Sequence, residues 1–377
     1  MENKKYDFLI VGSGLYGATF NYLATQAGYS CLILERRSHI GGNLYTPIVD
    51  GIPVHQYGAH IFHTHVKDVW DFVCDKCEMI PFINSPIAVY KDEVYNLPFN
   101  MNTFSKLFNV VTPVQAQEAI NKEIAEAGIT EPSNLEEQAI SLVGKSIYEK
   151  LIKEYTEKQW GRDCKELDKD IIKRLPVRMS YDNNYFNDLY QGIPKGGYNT
   201  LIENLIGDTE VRLDVDFNRN RDELMQLAKY VIYTGPIDEF FNFCFGSLEW
   251  RRVEFKTTTY PVQNYQGNAV VNYTSHDVPY TRVIEHKFFD RTGDGFNLDR
   301  TVVSEEYSTE WKPGQEPYYP VNNQRNSALL MTYQDLAGSY PNVLFAGRLG
   351  AYKYFDMDDT IMNAMEEFNR IHTAISK

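Results

Sequence analysis

Apolar positions along this chain follow several rhythms, and the rhythm changes from region to region. Phe8 to Val11 is an unbroken apolar run, the pattern of a strand buried on both faces. Ala18, Leu23, Ala24 and Ala27 then recur near helical spacing, and Gly28 ends that helix. Cys31 to Leu34 is a second short strand. Ile87 to Tyr90 and Glu93 to Asn96 are predicted strands joined by a Lys91-Asp92 turn. Residues 103 to 174 read as helical. Pro113 starts a helix over Val114 to Ala127, Asn134 is a candidate cap for the next, and a third runs from Lys145 to Trp160 and stops at Gly161. A helix over Asn199 to Ile206 and strands at Val211 to Val215 and Tyr230 to Thr234 suggest a return to the first unit. Residues 250 to 310 alternate, as in Arg252 to Thr259 and Ala269 to Thr274, which predicts an antiparallel sheet. A last strand, Asn342 to Ala346, precedes a helix that starts near Asp356.

The first strand runs straight into Gly12-Ser13-Gly14-Leu15-Tyr16-Gly17, a GxGxxG turn. Gly12 allows the tight turn, Gly14 lets backbone approach a pyrophosphate, and Gly17 lets helix and strand pack closely. The helix N-terminus offers that pyrophosphate free N–H groups and a partial positive charge. Glu35, eighteen positions past Gly17, is placed to accept hydrogen bonds from a ribose. A lone GxGxxG is weak, but here strand, turn, helix, strand and acid occur in order. The continuation Arg36, then Gly41-Gly42-Asn43, resembles the larger group of FAD-binding oxidoreductases, which includes the amine oxidases. FAD is the expected cofactor, and no second GxGxxG provides a nicotinamide site; Gly192 to Tyr198 is glycine-rich with the wrong spacing.

The fold class expected is α/β. A Rossmann-like FAD-binding domain is built from discontinuous segments 1–78, 195–243 and 335–377. An inserted helical domain with a mobile lid covers 99–176, and an antiparallel β-sheet domain covers 79–98, 177–194 and 244–334.

Composition narrows the partners. Among 377 residues, 37 basic and 51 acidic side chains leave a formal charge of −14, a poor surface for nucleic acid or anionic membrane. A phosphate-bearing ligand must then be held by locally placed arginines. The start, MENKKYDF, carries no apolar signal segment, and no run approaches membrane-spanning length. Five scattered cysteines fit a reducing cytoplasm, the expected location. Cys74 and Cys77 form a CxxC without a second pair, and His60 and His63 lack acidic or cysteine partners at metal spacing, so no metal is expected. Twenty-seven tyrosines exceed ordinary usage, and their flat faces with polar tips suit flavin, uracil or sugar.

Several longer stretches carry a specific resemblance. Tyr155 to Gly161 (YTEKQWG), Arg174 to Arg178, Asp182 to Phe186, Pro279 to Arg282, Glu316 to Pro320 and Gly347-Arg348-Leu349 together resemble the bacterial UDP-galactopyranose mutases. The resemblance implies interconversion of UDP-galactopyranose and UDP-galactofuranose through a covalent adduct of the sugar with reduced FAD, without net redox change. It also implies supply of galactofuranose to cell-surface glycans, and a homodimer. It places Arg174 and Arg282 on the diphosphate and His60 beside flavin and sugar. Tyr155, Thr156, Trp160 and Tyr185 take the uridine side, and Asn84, Tyr319 and Tyr354 the sugar side, with Asn272 fitting an asparagine in the sheet. Ser13, Arg36, Gly42, Asn43, His60, Ile61, Arg348, Phe355, Asp356, Met357, Asp358 and Thr360 fall to the cofactor, and Phe217 meets its adenine end if it lies at a strand end. The loop Gly161 to Lys173 is expected to close over UDP and bring in Arg174. His60 stands where an N-acetyl-tolerant branch resembles an arginine site, so UDP-galactose is expected to outcompete its N-acetyl analogue. A flavin-dependent amine or alcohol oxidase of the same fold group is the rival reading; a non-catalytic FAD-binding scaffold is a third.

Overall fold

The computed structural model describes residues 5–172 and 177–376. Its first strand, Tyr6–Val11, sits at the centre of a five-stranded parallel sheet. The order is Glu210–Arg212, Cys31–Leu34, Tyr6–Val11, Ala228–Tyr233, Val343–Phe345. Only the first two strands in the chain come from the opening βαβ unit; the rest arrive from the second half of the sequence. Phe8, Leu9 and Ile10 are fully buried because both faces of the sheet are covered. Phe8 and Ile10 face the helix Leu15–Gln26 and the long final helix Met357–Ile375, where Phe20 meets Phe368 edge-on at 5.6 Å. Leu9 faces the other way, into an aromatic cluster where Phe240 lies 4.8 Å from Phe345 and 5.1 Å from Tyr233. Each such pair contributes about 0.5–1.5 kcal/mol beyond its burial.

The second sheet has seven strands, in the order Tyr319–Pro320, Trp250–Tyr260, Thr301–Glu310, Arg282–Glu285, Val270–Tyr273, Ile87–Tyr90, Glu93–Asn96. It corrects the sequence reading in one place. Val270–Tyr273 runs parallel to Ile87–Tyr90, with Val271 opposite Ile87, while the other neighbours are antiparallel. These two strands are separated by nearly half the chain, so no hairpin dictates their direction. A three-stranded sheet, Phe62–Thr64, Tyr190–Pro194 and Met79–Pro81, was not legible in the sequence. It absorbs the start of the glycine-rich Gly192 to Tyr198 stretch: a Cβ on Gly192 would lie 2.7 Å from the Ile80 carbonyl oxygen.

The helical region is defined by its caps. Thr112 and Gln115 form a reciprocal capping box around Pro113, and Gly128 closes the helix Pro113–Ala127 in the left-handed region. Asn134 caps Leu135–Val143 by accepting from the Glu137 N–H at 3.0 Å. The predicted helix from Lys145 to Trp160 is interrupted by a π-helical turn at Tyr148–Ile152 before continuing as Lys153–Trp160. Phe104, Ile120, Leu135, Ala139 and Ile147 form its core, together with Ala88 and Tyr95 of the seven-stranded sheet.

One lysine ties this region to that sheet. The Lys158 ammonium donates to the carbonyls of Tyr273, Ser275, Val278 and Tyr280 at 2.7, 2.8, 3.2 and 2.9 Å. Those residues form the connection that leads into Arg282. Burial pushes the Lys158 amine down to about 8. Among the described residues, no helix is long and apolar enough to cross a membrane.

Candidate functional site

The glycines of the first turn divide the work as expected. Gly12 has φ +105°, and a Cβ there would meet Thr234 Oγ1 at 2.1 Å. A Cβ on Gly17 would lie 2.1 Å from the Gly12 carbonyl oxygen. A Cβ on Gly14 would meet only Gly42 Cα, at 3.9 Å, so the space before it is open. Gly14 is also the cap of Leu15–Gln26 and offers no side chain to its first N–H groups, which are left for a ligand. Glu35 is held ready: it accepts from Ser13 N–H at 2.9 Å, Ser13 O–H at 2.7 Å and Arg37 N–H at 2.9 Å. Ser13 is therefore spent on Glu35, fully buried behind the turn.

These groups open onto a cleft with an empty volume of about 1270 Å³, solvent at its mouth included. Of the residues expected at the cofactor, Gly12, Gly14, Gly17, Glu35, Arg36, Gly42, Asn43, His60, Phe217, Arg348, Phe355, Met357 and Thr360 line it. Phe217 does so from a 3₁₀ turn, Phe217–Asn220, and not from a strand. The Ile61 side chain packs into the core instead, only 7% exposed. Asp356 caps the final helix by its backbone alone, and Asp358 turns back on the Asp359 N–H at 2.9 Å. Burial pushes the Asp356 carboxyl up; His63 opposes that shift, while Asp358 and Asp359 add to it. Arg37 Nη1 and Arg348 Nε are buried and have no hydrogen-bond partner among the described residues. Open backbone at Gly14, uncapped N–H groups, an ordered carboxylate and spare guanidinium donors together fit a dinucleotide.

Arg37 and Glu316 were missed in the sequence. Glu316 pairs with Arg37 at 2.8 Å and Arg36 at 3.5 Å, and Arg36 also reaches Glu239 at 3.2 Å. Arg37 lies over the Tyr57 ring at 4.2 Å. Glu316 opens one of the quoted motifs, so its signal was present but its role was not. It draws the segment carrying Tyr318 and Tyr319 onto the nucleotide end of the cleft.

The other end is built from the seven-stranded sheet. Arg282, Asn272 and Glu306 sit opposite one another on adjacent strands. Arg282 grips Glu306 in a fork, Nε to Oε2 at 3.0 Å and Nη2 to Oε1 at 3.0 Å. Burial works against the Arg282 charge, but Glu306, Tyr155 and Tyr319 more than reverse it and hold the guanidinium above its ordinary range. Tyr319 stands 6.1 Å from the Tyr354 ring, and Arg348 lies 5.3 Å from that ring. Asn272 Oδ1 is buried without a hydrogen-bond partner among the described residues. Asn84 accepts the Tyr185 N–H at 2.8 Å through its carbonyl, joining two more expected residues. Glu306 was missed because it lies among other acids on an alternating strand.

Arg174 and Lys173 lie outside the described residues, so the end of the expected lid does too; its earlier part forms 3₁₀ turns at Cys164–Glu166 and Lys169–Ile172. Trp160 lines a different cavity, with Trp250, Arg251 and Trp311. Thr156 is 6% exposed on the helix that carries Tyr155. His63, set aside as a metal ligand, pairs with Asp188 at 2.6 Å and stacks on Phe186 at 3.7 Å. Among the described residues, no cluster of three or more potential ligands could hold a metal ion.

His60 lines the cleft as a neutral imidazole. Burial and the Arg348 guanidinium, with Arg282 adding, push it down to about 4 against a hydrogen bond to the Gly58 backbone. Burial likewise holds His286 at about 3 and His55 well below its ordinary range. These shifts fix a sign. Between about pH 6.5 and 4 the unfolded chain takes up protons at three histidines that the native state refuses, so stability falls as pH falls. Asp238, pushed up to about 6 by burial, offsets part of this by taking its proton in the native state first. Urea unfolding at pH 5 is expected to give a free energy lower than at pH 7 by about 4 kcal/mol. Equal values would contradict the neutral, buried assignment.

Comparison with known proteins follows the same lines. The family described as UDP-galactopyranose mutase matches residues 150–354, and that described as NAD(P)-binding Rossmann-like domain matches residues 10–75. The chain is similar to a probable UDP-galactopyranose mutase of Klebsiella pneumoniae, 39% identical across 100% of this chain and 97% of the relative. It is also similar to a dTDP-fucopyranose mutase of Escherichia coli, 37% identical across 95% of this chain and 96% of the relative. In fold it resembles the crystal structure of a reduced UDP-galactopyranose mutase, with TM-score 0.72, 14% identity and coverage of 98% and 96%. A putrescine oxidase shares the architecture at TM-score 0.55 and 12% identity, covering 98% of this chain and 99% of its own.

Proposed function

From the premise that this chain belongs to the UDP-galactopyranose mutase family, an isomerase family, we propose that it interconverts UDP-galactopyranose and UDP-galactofuranose with reduced FAD in its Rossmann cleft. The observation that carries the reading is the juxtaposition of Arg282 with Tyr155 and Tyr319 at the sheet end, and of His60 and Arg348 with the nucleotide cleft. Reduced flavin supplies a nucleophilic nitrogen for the anomeric carbon, which lets ring opening and reclosure proceed without net oxidation.

The chain's own residues do the rest. The Arg282 guanidinium binds the diphosphate and stabilises it as it departs, with Arg174 as its second clamp. Glu306 keeps Arg282 aimed and charged between turnovers. Tyr155 and Tyr185, with Thr156 and Trp160, take the uridine, where aromatic faces stack on uracil. Asn84, Asn272, Tyr319 and Tyr354 address the sugar hydroxyls, and the orphaned Asn272 carbonyl accepts one of them. His60 stays neutral at the cleft, so it can accept or donate one hydrogen bond without repelling Arg348. Glu35 and Arg36 hold the adenosine half of FAD, and the Glu316 bridge steadies them. Glu316→Ala is expected to raise the FAD dissociation constant about tenfold, measured by flavin fluorescence on dilution, through loss of charge-assisted hydrogen bonds. An unchanged constant would remove the bridge from the cofactor site. The same reading has a cytoplasmic homodimer that supplies galactofuranose for cell-surface glycans, and prefers UDP-galactose over its N-acetyl analogue.

The Escherichia coli relative supports a second reading, the same ring contraction on a dTDP-linked 6-deoxy sugar. The test incubates dithionite-reduced and untreated protein with UDP-galactofuranose and, separately, dTDP-fucofuranose, and separates products by chromatography. Pyranose formed from the UDP sugar only after reduction supports the proposal. Faster turnover of the dTDP sugar selects the second reading. Oxygen consumption with an amine or alcohol, and no isomerisation, would replace both with an oxidase.

A further inference from the structure

The loop 54–61 carries His60 to the cleft without regular secondary structure, and two buried imidazoles take the place of a strand partner. The His60 N–H donates to His55 Nδ1 at 3.2 Å. The His60 carbonyl accepts from the Tyr198 hydroxyl at 3.0 Å. Behind them, the His55 N–H donates to His286 Nδ1 at 3.2 Å, and His286 Nε2 meets Ser304 Oγ at 2.7 Å. Ser304 in turn reaches Thr257 Oγ1 at 2.8 Å. His55 and His286 are 3% and 1% exposed, and Tyr198 is 1% exposed. The His55 ring stacks on Phe289 at 4.3 Å and 8°.

The bonds assign the protons. Each Nδ1 accepts a backbone N–H, so each neutral ring carries its proton on Nε2. His286 then donates to Ser304, and the chain is consistent from Thr257 to the His60 main chain. Neither His55 nor His286 lines the nucleotide cleft, and both border a separate cavity. A buried imidazole in that position is costly unless its nitrogen is needed. Here the need is visible: without an acceptor at His55 Nδ1, the His60 N–H would be an orphan, and the residue that faces Arg348 would lose one of its two backbone anchors.

We propose that His55 is a positioning residue: backed by His286, it fixes the His60 main chain and so aims the His60 imidazole into the cleft. Its part in catalysis rests on the mutase reading, but the positioning itself does not. The structure distinguishes the two nitrogens, so substitution can too. In His55→Asn the amide oxygen falls near the position of Nδ1 and can accept the His60 N–H. In His55→Gln it falls nearer Nε2, and in His55→Leu there is no acceptor.

The test labels the histidine ring carbons and follows the His60 imidazole resonance, identified by its loss in His60→Gln. The resonance is expected to keep its position in His55→Asn and to move in His55→Gln and His55→Leu. With UDP-galactofuranose and reduced protein, kcat should fall about tenfold in His55→Leu with KM little changed, and stay within about threefold of the parent in His55→Asn. Identical His60 resonances in folded His55→Asn and His55→Leu would overturn the proposal. If His55→Leu fails to fold, His55→Gln takes its place; a His60 resonance identical in His55→Gln and His55→Asn would overturn it equally. Absence of turnover in the parent protein would strike the mutase reading alone, because the ring resonance needs no substrate.

Discussion

Replacing Arg282 with alanine is expected to lower turnover at least about a thousandfold, because a departing diphosphate loses its preorganised clamp. The same change is expected to destabilise the fold by about 3–5 kcal/mol, since it strands a buried carboxylate without its partner. Glu306 is 7% exposed, and the Arg282 fork is the only cation the structure places on it among the described residues. The two effects are separable. Adding Glu306→Gln to Arg282→Ala should recover most of the stability and none of the turnover. Arg282→Lys should keep the charge, lose the fork and fall between. Steady-state kinetics beside urea unfolding on the four proteins reads both effects. Turnover within about tenfold of the parent in Arg282→Ala would remove the arginine from the reaction.

Gly17→Ala is expected to yield protein without bound flavin and less stable by about 3 kcal/mol. The added carbon would overlap the Gly12 carbonyl oxygen at 2.1 Å and press on Ile10 Cγ2 at 3.1 Å. The helix Leu15–Gln26 must then lift from the strand Tyr6–Val11, which takes its N-terminal donors away from the pyrophosphate. Gly14→Ala is the contrast. Its Cβ meets nothing closer than 3.9 Å, so the fold should hold while flavin binding weakens, because the methyl enters ligand space. Absorbance of the purified proteins near the flavin maximum and their thermal midpoints check both. Equal behaviour of the two variants would erase the division of labour between these glycines.

The nucleotide half of the site was legible because its chemistry is local. Gly12 to Gly17 and Glu35 lie within one βαβ unit, and spacing alone fixes their geometry. Helix ends were legible for the same reason: Asn134 and Gly161 act on their own neighbours. The half built on the seven-stranded sheet is non-local. Arg282, Asn272 and Glu306 meet only through strand register, and a period-two pattern gives the face without the partner. The parallel pairing of Val271 with Ile87 was hidden likewise, since neither strand carries a turn that names its neighbour. Glu316, Asp188 and His286 act across the chain on residues that sequence order does not bring near. Ile61 erred the other way: it adjoins a cleft residue, yet consecutive side chains leave an extended backbone on opposite sides.

The lysine that reaches from the helix Lys153–Trp160 into a ring of four carbonyls occupies the kind of oxygen cage that could hold an alkali ion. Here the ion is covalently tethered. A free cation would come and go with the salt of its surroundings, whereas this one is present at fixed stoichiometry and high effective concentration. The helix bearing Tyr155 is thus pinned to the connection that leads into Arg282, and Glu157 of the same helix adds a second tie there, to His276 at 2.9 Å. Tyr155 and Arg282 come from distant parts of the chain, yet a lysine three residues past the first holds the carbonyls that lead into the second.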